Sequence, residues 1–372
     1  MSASKRIRVM QIKPGYALRD NDLQEAIIKA FPKDQYEVTS VYLEGRPTAE
    51  QPESSSEHIK YFDLTPGQMK GLRLVAMWKL YKFCRVNNFD VVYLNRFKPI
   101  HMMLILNRWL KIPKCIGIIH GLGDLQRPYR RKIFNRFIDA SWKVVAVSNA
   151  VRDDLVGYRC GLNKDNTLVI PNAVDVKGLR DGLLPSDEAR QELGLKSDSL
   201  VFGSIGRLVA VKGQKYLLEA FKRLVKKYPH IELVIIGDGK LEHEFATWVD
   251  NNGLRDSVHF PGFKENAYRY TSAFDCFVLP SLSEGMPLAI MEAMSASLPI
   301  VATNVGGNAE VLGESVETIP SKDVDALCEK LEGIIAASPE ERQKVGATLF
   351  DRVMSDYDIH NYQARYRALA HD

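Results

Sequence analysis

The chain has 372 residues, 45% of them hydrophobic and 26% charged, an ordinary balance for a soluble globular protein and enough for two domains with separate cores. Its five cysteines (84, 115, 160, 276 and 328) form no Cys-x-x-Cys pair, which argues against a zinc site or a disulfide framework and fits a reducing cytosol. The formal net charge of +4 hides an asymmetry: residues 1–180 hold 30 Lys and Arg against 17 Asp and Glu, residues 181–372 hold 20 against 29, and 60–143 alone hold 17 against 4. One half is therefore suited to an anionic surface. The N-terminus, Met1 to Arg8, is basic but leads into no signal-type apolar run. The longest greasy segment, Ile100 to Leu106, is far too short to span a bilayer, so a soluble or peripheral protein is expected.

In chain order, Arg6 to Ile12 reads as a first strand, followed by a turn holding Gly15 and a helix from about Asn21 to Ala30. Tyr36 to Tyr42 is a second strand, and Gly45 to Glu57, rich in Pro, Ser and Glu, an exposed loop. Residues 67–86 read as a basic amphipathic helix with Leu72, Val75, Ala76, Leu80 and Phe83 on its apolar side. A strand at Phe89 to Leu94, a helix at Ile100 to Leu110 and a strand at Cys115 to Ile119 follow, the last delivering His120 and Gly121 at its C-terminal end. Beyond Arg127-Pro128-Tyr129-Arg130-Arg131-Lys132 come a helix, Ile133 to Ala140, and strands at Val144 to Ser148 and Thr167 to Pro171.

Residues 176–198 are a linker with a short helix begun at Ser186 and stopped at Gly194. The alternation then resumes: strands at 200–205, 231–236, 257–260, 276–280 and 299–302, and helices at 214–228, 240–252, 287–296 and near 322–337, with a helical tail from Pro339 to His371. Strand–helix alternation predicts parallel βαβ units, with ligands beyond the strand C-termini.

The most informative stretch runs from Ser283 to Ala293. A buried strand leads into a tight turn with Glu284 and Gly285, and Pro287 is placed at the first position of a helix that carries Glu292 on its second turn. The free N–H groups of such a helix start attract a phosphate. Carboxylates repel one, so Glu284 and Glu292 must address neutral hydroxyls on either side of it. Sugar, diphosphate and ribose in that order make a nucleotide sugar.

Glu284, seven residues, then Glu292, with Gly-x-Pro between, resembles the retaining glycosyltransferases of family 4. Gly206-Arg207-Leu208 with Lys212-Gly213-Gln214, Ile236 to Gly239, Val305-Gly306-Gly307 with Glu310, Val147 to Val151 and Ile170 to Asp175 look like the same family, closely over about 115–315 and loosely elsewhere. The resemblance implies an α/β protein of the GT-B fold, two Rossmann-like domains facing an interdomain cleft. Residues 1–180 would bind the acceptor, 181–355 the nucleotide sugar, and 356–372 would form a helix crossing back to the first domain.

It also implies retaining transfer by front-face displacement, with no metal and no cofactor besides the nucleotide-sugar donor. Arg207 and Lys212 would clamp the diphosphate, where fixed cations stabilise the departing group more in the transition state than before it. Glu284 would hold hydroxyls of the transferred sugar and Glu292 those of the ribose. Gly285, Met286, Pro287 and Leu288 would shape the anion-binding helix start, with N–H donors from Met286 and Leu288 only. His120 would approach the reacting carbon, either carrying a proton or hydrogen-bonding a sugar hydroxyl. Gly15 is either a donor-side loop residue or a plain turn glycine, since the family's usual glycine pair is reduced here to one. Asp124 either orients an acceptor or caps the next turn.

The basic segment is either solvated surface or a dock for an anionic inner-membrane surface or phosphorylated glycolipid, through Lys70, Arg73, Lys79, Lys82, Arg130, Arg131 and Lys132. Trp78, Trp109 and Tyr129 would then be interfacial or sugar-stacking groups. The expected activity moves a hexose or N-acetylhexosamine from a nucleotide sugar, a UDP-sugar ahead of GDP-mannose, to a lipid-linked glycan such as a lipopolysaccharide-core or exopolysaccharide precursor. The enzyme would be cytoplasmic, peripheral on the inner membrane and without a nucleic-acid partner. The alternatives are a nucleotide-sugar 2-epimerase of the same fold and, using the basic half, a nucleic-acid-binding protein. The latter lacks the aromatic-basic motifs of known modules.

Overall fold

Strand and helix alternate through both halves of the computed structural model, which describes residues 5–16, 22–49 and 51–371. Met1 to Ser4 and the expected helix start at Asn21 lie outside the described residues. Contacts divide the chain into one unit of Met1–Asn172 with Ile359–Asp372 and another of Ala173–Asp358. The helix Val176–Asp181 therefore goes with the second unit rather than the first, the division falling at Asn172 and not at 180.

In the first unit the order is β1 (Ile7–Gly15), α1 (Leu23–Lys29), β2 (Tyr36–Glu44), β3 (His58–Tyr61), α2 (Leu74–Asn87), β4 (Val91–Asn95), α3 (Phe97–Leu110), β5 (Lys114–Ile119), α4 (Pro128–Phe137), β6 (Trp142–Ala146), α5 (Asn149–Gly157) and β7 (Thr167–Val169). The sheet is parallel, in the order β3-β2-β1-β4-β5-β6-β7. Helix-covered parallel strands are buried on both faces and need mostly apolar runs, as in β4, where Val91 to Leu94 and the terminal Asn95 are all buried.

Four local expectations change. β1 runs on to pair Gly15 with Glu44, so Gly15 ends a strand rather than making a turn; its φ is not left-handed and a Cβ there would be in ordinary contact 3.6 Å from the Glu44 carbonyl oxygen. The segment 45–57 is not simply exposed: Ser54 is buried, and Glu25 accepts from the Ser54 and Ser55 hydroxyls at 3.0 and 2.7 Å. Helix α2 begins only at Leu74, after Arg73 takes a left-handed φ of 56°, so Lys70 and Leu72 lie in the preceding turn. Its buried side is Ala76, Leu80 and Cys84, whereas Leu72 (76%), Leu74 (68%), Val75 (44%) and Trp78 (57%) are exposed. Finally, Pro128 starts α4 at a position where its missing N–H costs nothing, which puts Arg130, Arg131 and Lys132 inside the helix.

The second unit runs α6 (Val176–Asp181), α7 (Ser186–Leu193), β8 (Leu200–Ile205), α8 (Gln214–Val225), β9 (Ile231–Ile236), α9 (Glu242–Asn251), β10 (Val258–His259), β11 (Cys276–Leu279), α10 (Leu288–Ser295), β12 (Ile300–Ala302), α11 (Asn308–Leu312), α12 (Val324–Ala336) and α13 (Pro339–Asp356). Its parallel sheet has the order β10-β9-β8-β11-β12. Phe202, Leu233, Ile235, Cys276 and Val278 meet Leu217, Phe221 and Leu224 of α8 in its core.

The helical tail is made of two helices. After α13, α14 (Ile359–Ala368) belongs to the first unit, where the Tyr93 hydroxyl donates to the Tyr366 carbonyl at 2.6 Å and Lys114 Nζ to the Ala370 carbonyl at 3.0 Å.

Candidate active site

In the second unit three loops meet at the C-terminal ends of the strands. β8 hands over to Gly206 and Arg207, and a 3-10 turn, Ala210–Lys212, leads to Gly213 at the mouth of α8. Gly213 has φ +68°, and a Cβ on it would overlap the Pro280 carbonyl oxygen, so the turn presses directly on the end of β11. Leu282 N–H donates to the Val211 carbonyl at 2.7 Å across the same contact. On the other flank Gly306, at φ +55°, abuts the Glu284 backbone, and Gly307 N–H donates to the Gly285 carbonyl at 3.0 Å.

This packing brings Lys212 to Glu284. Lys212 Nζ donates to Glu284 Oε1 at 2.7 Å, and Ser281 Oγ donates to the same oxygen at 2.6 Å. Thr303 Oγ1 holds the Ser281 carbonyl at 2.6 Å, and Asn308 Nδ2 holds the Thr303 carbonyl at 2.8 Å. Sequence reasoning gave Lys212 and Glu284 separate tasks and missed their pairing, and it missed Ser281, Thr303 and Asn308 altogether. Their only sequence signal is short polar residues where strands end. The Arg207 guanidinium is exposed and has no partner among the described residues, while its carbonyl takes Gln214 Nε2 at 3.0 Å.

Pro287 is the residue before α10, with extended ψ 121°, rather than its first helical residue. Met286 beneath it is buried. Glu292 is half-buried on α10, and its carboxylate has no hydrogen bond or ion pair among the described residues. Burial pushes it up to about 7, because the protein around it solvates a charge worse than water does. A carboxyl raised in the folded state contributes stability that is full below the ordinary value and lost as pH rises through about 7. Glu292→Gln should therefore raise the melting temperature at pH 8 and leave it unchanged at pH 4. Equal melting shifts at the two pH values would show that the carboxyl titrates normally.

The first unit has a site of its own, a cavity of about 900 Å³ walled by Pro14, α3, α4, the 69–73 turn and the loop after β5. Of the expected residues it gathers His120, Asp124, Lys70, Arg73 and Arg130. Gly15 is not among its wall residues, nor are Lys79, Lys82, Arg131 and Lys132. Lys79 donates to the Phe62 carbonyl at 3.1 Å, Lys82 lies 3.9 Å from the centre of the Trp78 ring, and Arg131 sits over Tyr158. The sequence did not single out Arg96, Lys98, His101 and Arg127, which also line it.

His120 Nε2 is buried without a partner among the described residues, and burial, with the Arg96 charge adding to it, lowers the imidazole to about 4. At neutral pH the ring is uncharged, suited to hydrogen-bonding a hydroxyl. Asp124 Oδ1 lies 3.7 Å from Arg130 Nη1; burial raises its carboxyl, opposed by Arg130 and Arg96. Asp124 caps no helix, since Arg127 precedes α4.

Two family models match, Glycosyltransferase Family 4 over residues 25–177 and Glycosyl transferases group 1 over residues 185–348. The chain belongs to the family 4 glycosyltransferases, with the GT-B architecture of two parallel-sheet α/β domains. It is 29% identical over 210 residues to an uncharacterized glycosyltransferase of Methanocaldococcus jannaschii (54% of this chain, 52% of that one). To the UDP-Gal:alpha-D-GlcNAc-diphosphoundecaprenol alpha-1,3-galactosyltransferase of Escherichia coli it is 26% identical over 299 residues (77% and 76%). The match thus spans about half the length of the first relative and three quarters of the second. Among solved structures, Anabaena HepE in complex with UDP and glucose superposes with a TM-score of 0.80 at 19% identity, covering 98% of this chain and 99% of that one.

Proposed function

We propose that this protein is a retaining, metal-independent glycosyltransferase that moves a hexose or N-acetylhexosamine from a nucleotide sugar to a lipid-linked glycan. The observation that carries the reading is the convergence of Lys212, Glu284 and the glycine-packed loops at one end of the second sheet. Arg207 and Lys212 take the diphosphate, Glu284 the sugar hydroxyls and Glu292 the ribose. No metal or separate cofactor is needed, because the two cations meet the charge of the leaving group. In the first unit the neutral His120 imidazole bonds a sugar hydroxyl rather than delivering a proton, and Asp124 orients the acceptor.

A UDP-sugar is the first choice of donor, supported by the UDP bound in the Anabaena structure and by the UDP-galactose-dependent activity for which the Escherichia coli relative is named. The latter name also supports a diphosphate-lipid acceptor, of the kind used in lipopolysaccharide or exopolysaccharide assembly. Among the described residues no helix is long and apolar enough to cross a membrane. We place the protein at the cytoplasmic face of the inner membrane, held peripherally by Lys79, Lys82, Arg131 and Lys132, with exposed Trp78 and Trp109 at the interface.

The test is a donor screen joined to vesicle flotation. One of UDP-glucose, UDP-galactose, UDP-N-acetylglucosamine and GDP-mannose should be hydrolysed slowly in the presence of chelator, and the protein should float with anionic vesicles in preference to neutral ones. Failure to bind UDP or GDP would sink the transferase reading. Equal recovery with both vesicles would sink the membrane part alone.

A further inference from the structure

We propose that the cavity of the first unit is a binding site for the diphosphate that joins an acceptor sugar to its hydrocarbon chain. The inference rests on the transferase reading and names the part of the acceptor this unit grips.

The cavity wall holds six cations, Lys70, Arg73, Arg96, Lys98, Arg127 and Arg130, and one carboxylate, Asp124. Lys98 lies 3.8 Å from Glu44 and Arg130 is the partner of Asp124, whose charge Arg96 also feels, but the Lys70 and Arg96 side chains make no hydrogen bond or ion pair among the described residues. So many like charges around one space repel one another unless an anion enters it, and a diphosphate supplies the negative charge that the wall lacks.

Several of the cations are held in place beforehand. The Arg130 guanidinium lies 4.1 Å from the centre of the Phe97 ring and donates to the Asp124 carbonyl at 2.6 Å. Arg73 donates to the Met69 carbonyl at 3.2 Å and lies 3.2 Å from His101 Nδ1. With the guanidinium as donor, His101 must be the acceptor, and an accepting ring nitrogen carries no proton. Arg96 has φ +68° and ψ 166°, backbone that a non-glycine residue rarely takes and that is typically held at functional sites. Ordering donors before the ligand arrives reduces the entropy lost on binding.

The volume exceeds what a diphosphate fills and leaves room for a sugar beside His120 and Asp124. Leu72, which lines the cavity, is 76% exposed, and the chain continues through exposed Leu74, Val75 and Trp78. Contiguous exposed apolar side chains beside a cationic pocket suit a ligand with an anionic group and a hydrocarbon tail. Free phosphates match the cations but not this apolar rim, so the two sources can be told apart.

The experiment is calorimetric titration of the full chain with farnesyl diphosphate, farnesol, inorganic pyrophosphate and UDP, repeated on Arg96→Gln and Lys70→Gln. Lys70 stands exposed in a turn, so its variant folds even if the strained position 96 does not tolerate change. Farnesyl diphosphate should bind at least tenfold more tightly than pyrophosphate, farnesol should not bind measurably, and saturating UDP should not displace the prenyl diphosphate. Each variant should weaken farnesyl diphosphate at least tenfold and leave UDP affinity within twofold. Displacement by UDP, or undiminished binding in Lys70→Gln, would overturn the proposal by sending the anion to the donor loops. Farnesol binding as tight as farnesyl diphosphate would make the site merely apolar, and pyrophosphate binding as tight would remove the lipid. A chain that binds UDP but no prenyl diphosphate refutes the subsite and leaves the transferase standing; one that binds neither refutes both.

Discussion

Lys212→Ala should lower donor hydrolysis roughly a hundred- to a thousandfold, the range for removing one preorganised group that stabilises developing negative charge. The geometry gives the substitution two consequences. Without ligand the ammonium lies 2.7 Å from Glu284 Oε1, so each partner occupies the other's binding capacity. In the proposed reaction an incoming diphosphate, with more charge than a single carboxylate, would draw Lys212 away and leave Glu284 open to a sugar hydroxyl. Removing Lys212 would delete the proposed clamp and also leave a carboxylate side chain only 10% exposed, with Ser281 as its one remaining side-chain partner among the described residues. Glu284→Gln isolates the second effect, because the amide still accepts from Lys212 without competing for it as a charge. In that variant UDP alone should bind more tightly while turnover of the full donor falls. A Lys212→Ala enzyme with undiminished kcat/KM would show that position 212 does not contact the diphosphate.

Gly306→Ala should remove nearly as much activity without touching a charged group. Position 306 has φ +55°, and a Cβ there would overlap the Glu284 backbone oxygen, so the loop carrying Glu284 and the loop after β12 must part. Left-handed strain and overpacking are each worth about 1–3 kcal/mol. The urea midpoint of the second unit should fall accordingly, together with turnover. The matching control is Gly333→Ala within α12, where a Cβ meets nothing within 4 Å and alanine is the better helix former. That change should stabilise by roughly 0.5–1 kcal/mol and leave turnover alone. Equal behaviour of the two variants would mean that Gly306 is not the contact that seats Glu284.

The alternation of elements was legible because parallel strands buried on both faces are mostly apolar, which marks β4, β9 and β11 even with Asn95 at the end of β4 and Glu232 inside β9. Where the pattern is shared between two states the reading slipped. Ser148 follows an apolar strand and reads as its last residue, yet its Oγ accepts from Val151 N–H at 3.2 Å and starts α5, whose buried residues are only Val151 and Leu155. In helix α2 the amphipathic spacing picks out the buried Ala76 and Leu80, but it also counts Val75, which is exposed, and Leu72, which precedes the helix. At the loops beyond the second sheet the motif spacing singles out Arg207, Lys212, Glu284 and Glu292, but the pairing of Lys212 with Glu284 depends on two glycine contacts made across the sheet edge. The cavity was least accessible of all. Its wall comes from five separate stretches, and nothing local marks Arg96 or Lys98 as neighbours of Arg127.

The return of α14 to the first unit has a consequence for synthesis. The ribosome delivers the seven described strands of that unit first, but the segment made of α14 and the residues after it, which accepts from Tyr93 and Lys114, emerges only after the whole second unit has been made. At about 5–20 residues per second the wait is on the order of 10–40 s. Throughout that interval the older half has an uncovered side, available to chaperones and to misassembly, while the younger half can close as soon as it is complete. A translation stop anywhere in the second unit therefore damages both halves, and a chain cut after Asp358 keeps its younger half whole and leaves its older one unfinished.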